Sequence, residues 1–332
     1  MAEKRIDIGA IRHNAEEINK TTELIAVVKA DAYGHGALKV ANAINNYVCG
    51  FAVASAEEAD TLVNGGIKKD IIIFGYTPPY EHAPNVIRSF SNPAELNSFC
   101  NGERIAVKIN TGMNRYGADS SEAEKIINFL TAKNALHSVY THLRCPEDVS
   151  LTEKQYELFE KCAVPEDCKK HVAASRGLNC EREYKNGTVR CGIALYGGIK
   201  PFRQAMSIYG NVQCVRKVYA GNGVGYGNDV IKHDTLVAVT DIGYADGYRR
   251  TKKDRYVFLG GKRRRVLAVC MDCTIVEADF SVKTGDCAEF LGSNISANEL
   301  SSALDTDAYE LFTTFGRNLK TVYYDTEEIS NG

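Results

Sequence analysis

A lysine stands at the point where an apolar run gives out. In Leu24-Ile25-Ala26-Val27-Val28-Lys29-Ala30-Asp31-Ala32-Tyr33-Gly34-His35-Gly36, the run before Lys29 reads as a buried parallel strand, with Lys29 at its C-terminal end. A lysine walled in by apolar side chains loses hydration of its ammonium, so its pKa falls. Its amine then becomes a usable nucleophile, of the kind that forms a Schiff base with an aldehyde cofactor. The competing reading is a strand-end lysine that snorkels its charge back to water.

Other side chains capable of chemistry follow at intervals. Lys108 and Arg115 share the block Val107-Lys108-Ile109-Asn110-Thr111-Gly112-Met113-Asn114-Arg115-Tyr116-Gly117, and His142 sits in Tyr140-Thr141-His142-Leu143. His171 and Ser175 bracket His171-Val172-Ala173-Ala174-Ser175, and Arg190 precedes the run Cys191-Gly192-Ile193-Ala194-Leu195-Tyr196-Gly197. A guanidinium is planar, forks onto anionic oxygens and does not give up its proton. Tyr226 lies between glycines in Val224-Gly225-Tyr226-Gly227, Tyr244 in Ile242-Gly243-Tyr244-Ala245-Asp246-Gly247-Tyr248, and Met271-Asp272 between two cysteines. A free tyrosine titrates near ~10, so Tyr226 would need help to move a proton at neutral pH.

The elements that must position these groups alternate. Strand-like runs are expected at Leu24 to Val28, Cys49 to Val53, Asp70 to Phe74, Val86 to Arg88, Ile105 to Ile109, Val139 to Thr141, His171 to Ala173 and Gly192 to Leu195. Segments of helical period such as Ala56 to Asn64, Ser121 to Ala132 and Thr152 to Cys162 lie between them. Eight such alternations predict an α/β chain opening with an N-terminal (β/α)8 TIM-like barrel. After about Gln204, short alternating runs at Val218, Val237 to Thr240, Val257 to Leu259, Val266 to Val269 and Ala288 to Leu291 are punctuated by Gly and Asp turns. They predict a mostly β C-terminal domain. The expected division is 1–206 and 207–332.

Composition narrows the function. The 332 residues suffice for one large or two ordinary domains, and a formal net charge of −2 argues against a polyanion such as nucleic acid as partner. Arg263-Arg264-Arg265 reads as a solvated strand edge or turn. No signal peptide and no run of about 18 apolar residues is seen, so a membrane segment is not expected and a cytoplasmic protein is. The eleven cysteines are scattered, and Cys270-x-x-Cys273 has no second pair, so reduced thiols are expected and no metal.

The Lys29 segment resembles the pyridoxal-phosphate lysine motif of the alanine racemase family, and further family blocks follow in order along nearly the whole chain. That sets Lys29 apart from a snorkelling lysine. The resemblance implies that Lys29 carries pyridoxal 5'-phosphate, and that Arg115 reaches the cofactor's phenolic oxygen and the substrate carboxylate. Lys108 corresponds to a lysine that is carbamylated in some members, where it steadies the arginine. The family usually has Asp at the place of Asn110. His142 falls near the cofactor ring, Ser175 on its phosphate, and the backbone N–H groups of Gly192 and Ile193 on the same phosphate, with Cys191 replacing a proline. Arg190 would face the pyridine nitrogen and leave it unprotonated; the weaker electron sink that results suppresses transamination while permitting α-proton exchange.

The resemblance also makes Tyr226 the second base, serving the face of the α-carbon opposite Lys29. Its hydroxyl is implied to bond a histidine that touches the pyridine-facing arginine, here His171 and Arg190. Tyr244 and Met271, with Asp272 beside it, would form the substrate side from a neighbouring subunit, and Tyr309 would close over the phosphate with Tyr33. A homodimer with shared sites follows, and the first few residues, roughly Arg5 to Ile8, would join the β domain. Arg317-Asn318-Leu319-Lys320-Thr321 departs from the family's tail. The implied reaction is racemisation of L-alanine to D-alanine for peptidoglycan. One alternative is a serine (serine/alanine) racemase of the vancomycin-resistance type, which retained Tyr309 disfavours by crowding the pocket. A non-catalytic pyridoxal-phosphate-binding barrel would lack the β domain, and a decarboxylase would want an acid where Arg190 stands.

Overall fold

The computed structural model describes residues 1–79, 82–179, 187–227 and 230–326. Two compact units are present: Arg12–Leu195, and Met1–Ile11 together with Tyr196–Gly332. The first strand, β1 (Glu3–Asp7), belongs to the second of these.

The next eight strands build the first unit. They are β2 (Glu23–Val27), β3 (Gly50–Val53), β4 (Asp70–Ile73), β5 (Val86–Phe90), β6 (Ile105–Lys108), β7 (Leu136–Tyr140), β8 (Lys169–His171) and β9 (Thr188–Cys191). All pair in parallel, in the order β8-β7-β6-β5-β4-β3-β2-β9. An Ala174–Arg190 bridge and the Arg190 N–H donating to the Ala173 carbonyl at 3.1 Å join the two ends. The ring is therefore closed, as a (β/α)8 barrel requires. Strands covered on both faces are mostly apolar, and β3, β5, β6 and β9 are buried along their whole length, with Arg88, Lys108 and Arg190 as enclosed exceptions. Helix Ser120–Ala132 shows the outer layer's logic: Ala123, Ile126, Ile127 and Leu130 recur at helical spacing and pack on Ile105, Val107 and Val139.

Two expected strands are displaced: His171 to Ala173 meets β8 only at His171, and Gly192 to Leu195 misses β9. Gly192 to Leu195 is apolar but forms a turn, and β9 lies just before it. The Gly192 and Ala194 N–H groups both donate to Ser175 Oγ, at 3.0 and 3.3 Å, and the Leu195 N–H returns to the Gly192 carbonyl. These amides are committed to a side chain and a turn, so they join no ladder.

The second unit adds β10 (Met206–Val218), β11 (Thr235–Thr240), β12 (Tyr256–Leu259), β13 (Lys262–Val269), β14 (Thr274–Ala278), β15 (Cys287–Leu291) and β16 (Lys320–Tyr324). The order is β11-β14-β13-β12-β15-β10-β1-β16, and β10 also pairs with β11. The first part of β10 pairs with β1 and β15 and its later part with β11, across bulges that bend it. The result is an antiparallel barrel with the parallel β1–β16 pair at its side. Arg263-Arg264-Arg265 differs from expectation: β13 is an interior strand, and alternation buries Arg264 while its two neighbours stay exposed. Arg264 donates to Asp279 Oδ2 at 2.9 Å and to the Leu259 carbonyl.

Candidate active site

Lys29 lies just past β2, at the head of an unusual turn. Ala30, Asp31, Ala32 and Tyr33 all have φ of 52° to 54°, in the left-handed region. For L-residues this costs roughly 1–2 kcal/mol each, so something must hold it. Asp31 Oδ1 accepts the Ala37 N–H at 2.7 Å. The Glu58 carboxylate accepts the Ala30 and Ala54 N–H groups, both at 2.7 Å. Buried His35 bonds through Nδ1 to the Ala32 and Tyr33 carbonyls at 3.0 and 2.9 Å. The turn brings Tyr33 back over Gly192: a Cβ built there would fall 2.5 Å from the Tyr33 hydroxyl. Only glycine admits that approach.

The electrostatics at this end of the barrel are one-sided. Burial lowers the Lys29 pKa, and Arg115 adds to the effect while Glu58 opposes it. Lys108, at the end of β6, is pushed down to about 8 by burial and then by Arg115, Arg190 and Lys29; its ammonium lies 5.4 Å from the Tyr116 ring centroid. His142 falls to about 3, from burial and from Arg190, Arg115, Lys108 and Lys29. A neutral imidazole therefore lies close to four cationic groups, Lys29, Lys108, Arg115 and Arg190, and such a cluster favours anionic groups. Asn110 is occupied locally, accepting the Gly112 and Asn114 N–H groups through Oδ1.

Of these groups Arg190 is the most deeply buried. Its NH1 donates to His171 Nδ1 at 2.8 Å and to the His171 carbonyl at 2.6 Å, and its NH2 to the Thr141 and Val172 carbonyls. Burial lowers its pKa to about 10, still well above neutrality. The His171 ring is stacked on Tyr140 at 5.1 Å with 5° between planes, and its Nε2 meets Ser138 Oγ at 3.1 Å. Both ring nitrogens are thus engaged inside the barrel, which leaves none for the hydroxyl of Tyr226. The expected Tyr226–His171 bond is not compatible with this arrangement. Neighbouring Cys191 is buried, which raises its thiol to about 12 and keeps it un-ionised.

The remaining expected residues lie in the second unit and form a group of their own. Tyr226 is 69% exposed on a turn, and a Cβ on Gly225 would come within 2.4 Å of the Ala268 Cβ. The Tyr244 and Ala245 N–H groups donate to the Cys270 and Met271 carbonyls at 3.0 and 2.9 Å, which docks Tyr244 against the Met271-Asp272 hairpin turn. Cys270 and Cys273 are the two ends of that turn, joined by a 2.8 Å bond from the Cys270 N–H to the Cys273 carbonyl. Among the described residues no group of three or more His, Cys, Asp or Glu side chains could hold a metal ion. Tyr309 lies in the first turn of helix Ala308–Thr314, where Glu310 accepts from Arg249 at 2.8 Å.

The alanine racemase N-terminal domain profile matches residues 6–200, and the C-terminal domain profile matches 205–323. The alanine racemase of Carboxydothermus hydrogenoformans is 34% identical, over 96% of this chain and 98% of its own length. The chain belongs to the alanine racemase family. The Yersinia pestis alanine racemase is 31% identical over 96% of this chain and 97% of its own. Among solved structures, alanine racemase from D-cycloserine-producing Streptomyces lavendulae superposes with a TM-score of 0.87 at 28% identity, covering 97% of each chain. Bartonella henselae alanine racemase, with covalently bound pyridoxal phosphate, gives 0.85 at 27% identity, covering 97% of this chain and 99% of that one.

Within this alanine racemase fold, three contributors escape a reading of the sequence. Glu58 is visible as the last residue of Ser55-Ala56-Glu57-Glu58, a capping-box spelling, yet one carboxylate oxygen crosses to the Ala30 N–H in the Lys29 turn while the other takes the Ala54 N–H just ahead of its own helix. Tyr140 reads as strand, but its ring stacks on His171 and lies 5.2 Å from the Arg190 guanidinium. Ser138 carries no local signal at all.

Proposed function

We propose that the chain interconverts L- and D-alanine with pyridoxal 5'-phosphate, using Lys29 and Tyr226 as acid/base groups on opposite faces of the α-carbon. The single observation that carries this is Lys29 itself: a partly buried amine of lowered pKa, on a braced left-handed turn, beside a cluster of cationic groups.

The barrel fits the cofactor. Gly192 leaves space that a Cβ would fill, and the Gly192 and Ala194 amides both point at one oxygen, the Ser175 hydroxyl, a cluster of donors of the kind a phosphate oxygen would meet. Tyr33, Ser175, Gly192, Ile193 and Tyr309 would hold the phosphate, with His142 near the ring and Arg190 on the pyridine nitrogen. Bound there, pyridoxal phosphate supplies an aldehyde that captures the amino group and a ring that stabilises the electron pair left by the α-proton. Arg190 would keep the ring nitrogen unprotonated, since its own proton stays bound at neutral pH. Arg115 would bind the carboxylate, steadied by Lys108. Lys29, neutral at a lower pH than an ordinary lysine, would move the proton on one face at Nζ. Tyr226 would move it on the other through its hydroxyl, with Tyr244, Met271 and Asp272 shaping the substrate side.

The division of work follows residues 1–206, which carry every cofactor-side group except Tyr309, and 207–332, which carry Tyr226. We read the working unit as a homodimer whose sites draw Tyr226 from the partner. We place it in the cytoplasm, supplying D-alanine for peptidoglycan; the free cysteines suit a reducing compartment, and no helix among the described residues is long and apolar enough to cross a membrane. The test is racemisation of L-alanine and L-serine in parallel, read by chiral chromatography. Alanine is expected to be much the faster; serine equal or faster reassigns the substrate, and no D-product from either sinks the reading.

A further inference from the structure

Below Arg190 a line of polar side chains runs down the inside of the barrel. His171 Nε2 lies 3.1 Å from Ser138 Oγ, Ser138 Oγ 3.0 Å from His137 Nδ1, and His137 Nε2 3.1 Å from Asp70 Oδ2. Arg104 grips the Asp70 carboxylate with two bonds, of 3.1 and 2.6 Å. The line starts at a half-exposed ion pair on the first residue of β4 and ends on a guanidinium that is fully enclosed. His137 and Ser138 are adjacent, so in a regular strand they would face opposite ways. The β6–β7 pairing skips a residue here, with Ile105 opposite Leu136 and Ala106 opposite Ser138. His137 is the extra residue of a bulge, and both side chains line one cavity with Asp70 and His171.

The hydrogen positions in this line follow from donor and acceptor rules. A guanidinium only donates, so His171 Nδ1 is bare and its proton is on Nε2. That N–H donates to Ser138 Oγ. With His137 neutral, the serine hydrogen goes to its Nδ1, and its one ring proton sits on Nε2 and donates to the Asp70 carboxylate. Every hydrogen points the same way, from a cation to an anion, and bonds aligned in series polarise one another.

We infer that Ser138, His137 and Asp70 are positioning residues for Arg190: through one directed hydrogen-bond chain they fix His171 as an acceptor and so hold the guanidinium in place. This rests on Arg190 facing the cofactor's ring nitrogen. Without the chain, His171 could carry its proton on Nδ1 and turn an N–H against the guanidinium. The Arg190 head would then lose one anchor and rotate.

The test uses the holoenzyme, the Ser138→Ala variant, which breaks the chain, and the Asp70→Asn variant, which keeps its shape but removes the anion. Nitrogen-15 NMR of labelled histidines should find His137 and His171 of the parent protonated at Nε2 and bare at Nδ1. In the variants His171 should become a tautomer mixture, and the pH dependence of the bound cofactor's absorbance should shift. Keto acid released per racemisation turnover should rise on the order of tenfold. A parent His171 protonated at Nδ1 would overturn the chain, as would variants that load cofactor and keep the parent's spectrum and product ratio. A parent that takes up no cofactor would overturn the reading of the site, and the role given to Arg190 with it.

Discussion

The two units handle their functional side chains in opposite ways. In the barrel, His171, Arg190, Ser175 and Lys108 are nearly inaccessible, at 1%, 3%, 3% and 6% exposure. In the β unit, Tyr226, Met271 and Tyr244 stand out at 69%, 57% and 39%. Enclosed groups receive their properties from fixed neighbours, as the depressed pKa values of Lys108, His142 and His171 record. Exposed ones are placed by backbone alone, through the glycines around Tyr226 and the Tyr244–Cys270 and Ala245–Met271 bonds. The barrel groups are fixed by neighbours within their own unit, whereas those of the β unit are presented at its surface.

That contrast can be broken most forcefully at its two ends. Lys29→Ala should lose more than about 10⁴-fold in alanine racemisation, because no other group replaces a covalent amine. Tyr226→Phe should lose roughly 10²- to 10⁴-fold while binding the cofactor normally. If the β half serves a partner, mixing the two inactive proteins through unfolding and refolding should restore about a quarter of parental turnover, since half the dimers then hold one intact site. No recovery in the mixture would place both groups in one chain's site.

Gly192→Ala probes the barrel half alone. The new methyl would press on the Tyr33 hydroxyl, and relieving an overpacked contact costs about 1–3 kcal/mol. Cofactor affinity in equilibrium dialysis should drop roughly tenfold to a hundredfold; an unchanged affinity would show that Tyr33 moves freely. The smallest effect expected is on stability. His142 titrates at about 3 in the folded chain and near ~6.5 when unfolded, so the unfolded state takes up the proton first. The contribution is complete above about pH 6.5 and is lost as pH falls toward 3, by roughly 2 kcal/mol at about pH 5. His171, also depressed, acts in the same direction. Urea midpoints from pH 7 to 5 should fall less steeply in His142→Gln than in the parent.

Local patterns made much of this legible. Apolar runs announced six of the eight barrel strands, since parallel strands are buried on both faces, and the helix at Ala56–Asn64 falls where its spacing places it; β8, Lys169-Lys170-His171, has no apolar run to read. The other misplaced strand failed because Gly192 to Leu195 is as apolar as a strand, while its amides answer to Ser175, seventeen residues away. Strands β14 and β16 went unread because each mixes polar and apolar residues without a clear apolar run. Helices Ala297–Ala303 and Ala308–Thr314 were spelled out by Ser296 and Asp307 with a glutamate three residues on, and could have been found. The bulge at His137 could not, because a pairing register is a property of two strands.

The turn behind Lys29 has a further consequence, one of handedness. From Ala30 to Tyr33 the backbone traces the mirror image of an ordinary helical turn, a shape that D-residues adopt at rest and L-residues only under constraint. A chemically assembled chain carrying D-alanine at positions 30 and 32 would keep this turn with less help from Glu58 and Asp31. The segment that carries the amine is folded in the stereochemistry of the enantiomer the reaction makes.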